Sequence, residues 1–215
     1  MAFEGWPEEA LDFYDGLEAD NSKAYWLAHK NVYETCVLAP MTELLAELEP
    51  EHGATKIYRP YRDVRFSKDK SPYKTAIAAH AGDGYIQLSA AGLAAGSGMY
   101  AMAPDQLERY RTAVAADSSG GELDQIIAAL RSHDIDVNGR DSLKSVPRGY
   151  PPDHPRAELL RHKGLVAWKE WPVGPWLSTS AARTKVADFL VATRPFGHWL
   201  TDNVGPTAEP AGRRR

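Results

Sequence analysis

The sequence predicts an α+β fold: a single domain in which an antiparallel sheet, a meander, packs against N-terminal and C-terminal helices. Three observations lead there. Apolar residues recur every three to four positions from Leu11 to Leu48 and again after Lys185. Around Tyr85–Ser89 they alternate instead, with Ile86 and Leu88 on one face. Helical and strand patterns are also segregated along the chain, which disfavours an alternating α/β sheet.

Each element has a local reason. Pro7 with Glu8 and Glu9 opens a first helix, whose stripe is Leu11, Tyr14 and Leu17. Asp20-Asn21-Ser22 breaks it and caps a long second helix through Tyr25, Val32, Cys36, Met41, Leu44, Leu45 and Leu48, with a kink or restart at Pro40 and an end near Glu49-Pro50. Strands are expected at 56–59, 75–80, 85–90 and 93–102, with a turn at Gly82-Asp83-Gly84 and another near Ala91-Gly92. Pro104 starts a helix that Ser118-Ser119-Gly120-Gly121 should break, before another carrying Leu123, Ile126, Ile127 and Leu130. Residues 138–155, rich in Gly, Pro and charge, read as a long loop of the kind that is usually functional or mobile. A strand at 164–171 and a helix from Lys185 to Asn203, interrupted at Pro195, complete the domain over 1–204; residues 205–215 are expected to be a disordered tail.

Composition narrows the function class. With 215 residues, 43% of them hydrophobic, the chain can bury a core without a disulfide or metal. A net charge of −4 argues against a general nucleic-acid or membrane coat. Residues 84–104 are uncharged over a membrane-spanning length, but their glycines, serines and Gln87 fit two strands better. Cys36 is the only cysteine, which removes an intrachain disulfide and CxxC chemistry and makes a reducing cytoplasm the expected location.

Charge is unevenly placed. Residues 1–53 hold 12 acids and 2 bases, whereas the 16 residues 59–74 hold six bases and two acids. That second segment contains Arg62-Asp63-Val64-Arg65-Phe66-Ser67-Lys68-Asp69-Lys70-Ser71-Pro72-Tyr73-Lys74. An extended Asp63–Phe66 puts Asp63 and Arg65 on one face and Val64 and Phe66 toward the core, and Ser67–Pro72 has turn chemistry. Guanidinium forks, ammonium groups and loop N–H groups together suit phosphate or carboxylate. The candidate anion binders are therefore Arg62, Arg65, Lys68, Lys70 and Lys74, and Asp63, Asp69 and Tyr73 are the acid–base candidates. The competing reading is a structural network in which Arg62, Asp63, Arg65 and Asp69 satisfy one another.

A second cluster holds Lys144, Arg148, Tyr150, Asp153 and His154. Lys144 and Arg148 join the anion-binding candidates. His154 is a general acid/base candidate by residue type, although its spacing favours a cap on a helix beginning at Pro155. Gly92, Gly96 and Gly98 form no phosphate loop, because the lysine of GxxxxGK[ST] and the third glycine of GxGxxG are missing; close packing in a strand explains them better. Asp63, Asp69, His80, Asp83 and His154 are metal-ligand types with no ligand spacing, so no metal site is assigned. Trp26 and Trp199 have core spacing; Trp168, Trp171 and Trp176 are core or a partner surface, with core favoured.

The string RDVRFSKDKSPYK resembles the signature of the domain of unknown function 2461 family, a set of uncharacterised proteins of bacteria and fungi. Asn21 to Trp26 with Tyr33 and Pro40, Gly96-Ser97-Gly98-Met99-Tyr100, and Leu143-Lys144 with Pro147-Arg148-Gly149-Tyr150 and Asp153-His154-Pro155 are similar to its other landmarks. The resemblance covers about residues 3–200 and implies one compact domain that carries both charged clusters, without an assigned activity. Leu27 stands where the family often has Phe, a change expected to touch packing only.

The expected function is an intracellular enzyme or ligand-binding domain for a small phosphorylated or carboxylated anion. The alternative is a non-catalytic module that docks an acidic protein or a nucleic-acid backbone. No membrane partner is expected, and the motifs specify no cofactor.

Overall fold

The structure, a computed structural model, describes residues 2–65, 68–139 and 141–208. Its elements in chain order are α1 (Glu8–Ala19), α2 (Lys23–Val32), α3 (Ala39–His52), β1 (Thr55–Ile57), β2 (Ala76–Ala81), β3 (Gly84–Ser89), β4 (Gly92–Met99), α4 (Pro104–Ala115), α5 (Asp117–Ser132), β5 (Asp136–Asn138), α6 (Ala157–Arg161), β6 (Leu165–Pro172) and α7 (Ala181–Asn203). The strands form a six-stranded sheet in the order β1-β2-β3-β4-β6-β5, with β1–β2, β2–β3 and β5–β6 antiparallel. The fold is α+β, as the segregated patterns predict. The chain divides into two compact units: one runs up to Ala95 and includes Glu170–Leu190, and the other comprises Gly96–Lys169 and the chain from Val191.

In the first unit, Ser22 caps α2 by accepting the Tyr25 N–H at 3.1 Å. The long helix is interrupted and restarts at Pro40, which stands in the first turn of α3. Before it, Tyr33–Leu38 widens into a π-helical turn, in which the Ala39 N–H bonds to the Glu34 carbonyl. The extra residue moves the chain past the carbonyl that the Pro40 ring would strike. The helix also runs beyond Pro50 to His52. Pro50 is exposed, so water can take up the carbonyl it leaves unbonded, and Gly53, at φ 92°, ends the helix.

Alternation sorts the sheet. Ile77, Ala79, Ala81, Ile86, Leu88, Leu93 and Ala95 are buried, and α3 packs against β1 and β2. From α7, Leu190 comes so close to β3 that a Cβ on Gly84 would lie 2.1 Å from its Cδ2. The other face of β2 and β3 carries Ala76, Ala78, His80, Tyr85 and Gln87. There β2 and β3 pair Ala78 with Gln87 and His80 with Tyr85.

In the second unit, α5 begins at Asp117, so Ser118–Gly121 open that helix instead of separating it from α4. The break sits at Ala116, where ψ turns to 142°. Arg156 makes this possible: its Nε donates to the Val114 carbonyl (2.6 Å) and its NH2 to that of Ala116 (3.0 Å), which satisfies carbonyls at the end of α4. Gly120 leaves room, because a Cβ there would lie 2.4 Å from the Arg156 Nε. Helix α7 starts at Ala181 and continues through Pro195, which is exposed, so the carbonyl one turn earlier can face water. Gly96 and Gly98 allow close approach: a Cβ would lie 2.6 Å from the Trp168 ring or 2.4 Å from the Leu165 carbonyl, and Gly98 has φ 124°. Trp199 is buried, like Trp26 of the first unit. Trp168, Trp171 and Trp176 are only half-buried, so core packing does not describe them.

Residues 209–215 of the expected tail lie outside the described residues. Its first part is bonded to α4: Gln106 donates to the Gly205 carbonyl, Arg109 to that of Pro206, and Asp105 accepts the Ala208 N–H (2.9 Å) and the Thr207 hydroxyl (2.7 Å). Those two bonds, with Arg109 beside them, lower the Asp105 carboxyl from the ordinary 3.8 to about 2. A carboxyl lowered by folding stabilises the bound segment fully above its ordinary value and loses that contribution as pH falls toward 2. The Ala208 amide signal in NMR is therefore expected to titrate with a midpoint near 2. A midpoint near 4 would mean that Asp105 does not hold this segment.

Candidate functional site

The charged string folds as a loop closed on a short stem. Tyr61 and Tyr73 form an antiparallel bridge. On either side of it, the Arg62 N–H donates to the Pro72 carbonyl (2.9 Å) and the Lys74 N–H to that of Pro60 (2.8 Å). The stem is anchored to the loop before α2. Asn21 accepts the Tyr73 N–H at 3.0 Å and donates to its carbonyl at 3.1 Å, in effect supplying a missing strand partner. Trp26 then stacks on the Tyr73 ring, with 4.4 Å between centroids and 6° between planes.

Inside the loop the charges pair locally. Arg65 grips Asp63 with both arms of its fork, Nε to Oδ1 at 2.9 Å and NH2 to Oδ2 at 2.7 Å. Arg62 pairs with Asp69. Asp69 also accepts the Ser71 N–H (2.9 Å) and hydroxyl (2.6 Å), while Lys70 donates to the Val64 carbonyl (3.0 Å). The Arg65 hydrogen bonds hold the Asp63 carboxyl down at about 2; those from Ser71, then Arg62, do the same for Asp69. Carboxyls this acidic stay ionised at neutral pH and accept a proton weakly, so here they orient arginines. The expected inward placement of Phe66 and the turn at Ser67 fall outside the described residues.

Arg62 and Lys74 point to the neighbouring sheet face. They line a depression of about 390 Å³ with Tyr58, Thr75, Ala76, Ala78, Tyr85 and Gln87. Two small residues of β2 form its floor, since larger side chains at Ala76 and Ala78 would fill it. The Tyr85 hydroxyl donates to the Gln87 Oε1 at 2.9 Å, which fixes the amide. Lys74 sits 5.4 Å from the centre of the Tyr58 ring. Partial burial, and secondarily the charge of Arg59, lowers its pKa.

The sequence candidates thus separate. Arg62 and Lys74 line the depression. Arg65 and Lys70 serve the loop itself, and Lys68 is exposed. Tyr73 is 5% exposed and belongs to the aromatic stack, which raises its hydroxyl pKa by burial. Lys144, Arg148 and His154 belong to the other compact unit. Lys144 and Arg148 are exposed there. His154 accepts the Arg156 N–H on Nδ1 at 3.0 Å in the turn before α6; that helix begins at Ala157 and not at Pro155, with Arg156 as its N-cap, so His154 is not its cap. Leu27 is 61% exposed, so a change at this position touches the surface and not, as expected, the packing.

Tyr58, Thr75, Tyr85 and Gln87 were not among the candidates. Their signal lay in the strand alternation: with Ile86 and Leu88 facing the core, Tyr85 and Gln87 face the other way. No spacing rule joins them to Arg62 and Lys74. The second unit also holds an unanticipated pair, the Ser142 hydroxyl at 2.7 Å from Nδ1 of buried His162. Burial lowers the His162 pKa. Among the described residues no three His, Cys, Asp or Glu side chains gather as a metal site, and no helix is long and apolar enough to cross a membrane.

A family model described as "Conserved hypothetical protein (DUF2461)" matches residues 9–199. No curated protein and no solved structure matches the chain. The matched span takes in the charged loop, the Asn21 and Trp26 that anchor it, and the depression beside it, and the chain belongs to the DUF2461 family.

Proposed function

We propose that the depression between the charged loop and the β2–β3 face binds a small phosphorylated or carboxylated anion, with Arg62 and Lys74 as the binding pair. The observation that carries this reading is the convergence of these two cations on one concavity, with a third positive charge, Arg59, already acting on Lys74. An anion placed there would relieve that repulsion and gain charge-assisted hydrogen bonds. Asp69 would position Arg62, and the Lys74 amine and Tyr85 hydroxyl would be the lining groups able to carry a proton at the ligand. Docking of an acidic protein or a nucleic-acid backbone draws less support, because Arg62 and Lys74 meet at a depression of small-ligand size and the Arg65 fork is already engaged by Asp63.

Thermal melts with phosphate, pyrophosphate and small carboxylates test the proposal. A ligand at 100 times its dissociation constant adds about 2.7 kcal/mol, or roughly 5–10 °C at this chain length. Lys74→Met is expected to abolish the shift, whereas Lys68→Ala and Lys144→Ala keep it. An undiminished shift in Lys74→Met, or no shift with any anion, would refute the proposal.

A further inference from the structure

Resting on the anion-binding reading, we infer that the anion is carried on a planar, unsaturated ring and not on a sugar or an open chain. The depression offers more than its cations. Its floor is Ala76 and Ala78, adjacent on one sheet face, and its walls include the rings of Tyr58 and Tyr85. His80 extends this aromatic edge, with its ring centre 5.2 Å from that of Tyr58 and 5.8 Å from that of Tyr85. An inorganic anion would meet only the cationic side and leave this apolar floor and wall in water. A sugar would bring several hydroxyls, each needing a partner, to a surface of methyl groups and ring carbons. Polar lining beyond the cations and the tyrosine hydroxyls is confined to Thr75 and Gln87. The Gln87 Oε1 is engaged by Tyr85, so its amide N–H groups face a ligand as donors. A flat ring with one or two polar edge atoms matches that set: its face covers the alanines, tyrosine rings flank it, and the amide reads its edge.

Matched ligands separate planarity from charge and size. Calorimetric titration of the full chain with inorganic phosphate, glucose 6-phosphate, cyclohexyl phosphate and phenyl phosphate is expected to rank phenyl phosphate first. The expected margin is at least tenfold over phosphate and glucose 6-phosphate and at least threefold over cyclohexyl phosphate. If carboxylates are the better anions, benzoate against cyclohexanecarboxylate makes the same comparison. Tyr85→Leu should erase the preference for phenyl over cyclohexyl, and Tyr85→Phe should keep it. Phosphate binding that depends on Lys74 but is no weaker than phenyl phosphate binding would overturn the ring inference and leave the anion site standing. Equal affinity for the phenyl and cyclohexyl esters would overturn it too. Absence of binding by every anion would overturn the anion site and this inference together.

Discussion

Trp26→Ala is expected to cost roughly 3–5 kcal/mol, the range for deleting a buried large aromatic. Trp26 is 4% exposed, and its loss would strip one face from the Tyr73 ring. It would also remove contacts with Tyr33, whose ring centre is 4.8 Å away, and with Phe13 at 5.7 Å. At about 2–4 °C per kcal/mol the melting temperature should fall by roughly 6–20 °C. Function should fall with it, because Tyr73 forms the stem from which Lys74 enters the depression. Trp26→Phe keeps an aromatic face and should lose less than half as much. Denaturant unfolding measures this directly, and a loss under 1 kcal/mol would show that the stack does not support the stem.

Arg156→Ala is the second large effect, at roughly 1–3 kcal/mol for each carbonyl left without its donor. The Arg156 side chain is 10% exposed, and its fork serves the Val114 and Ala116 carbonyls and the Asp124 carboxylate at once. Removing it strands carbonyls at the end of α4 and leaves the hole that Gly120 keeps open. Arg156→Lys should recover little, since one ammonium cannot reproduce a planar fork with several fixed N–H directions. Equal stability of Arg156→Lys and the parent protein in urea would mean that the charge matters and the fork does not.

These two residues differ in how far the sequence disclosed them. Trp26 was legible as core because helical spacing gives it one face, and packing follows from that face. Arg156 was not, because its partners lie about 40 residues earlier and no local pattern links an arginine after His154 to the end of α4. The same distance effect misplaced the break before α5: Ser118–Gly121 carry every local sign of a loop, and a long-range guanidinium overrides them. A local rule makes Pro50 and Pro195 helix breakers by assuming that their lost hydrogen bonds cannot be replaced. Both are exposed, so water can meet the need.

Near neighbours along the chain set the local structure. The periodicities specified an α+β fold, Gly82-Asp83-Gly84 specified a hairpin, and Ser22 specified a cap. The density of bases over 59–74 marked the loop beside which the proposed site lies. Only the folded chain shows which of those bases line the depression. Arg65 and Lys70 are within reach of acceptors in their own loop, whereas Lys74 emerges from the stem onto a sheet face built from residues on both sides of a hairpin. Helix and strand follow from interactions a few residues apart, but a binding site is a convergence of side chains in space. Charge attraction also falls off over ångströms and not over residue numbers, so the partner each charge takes emerges only once the chain has closed.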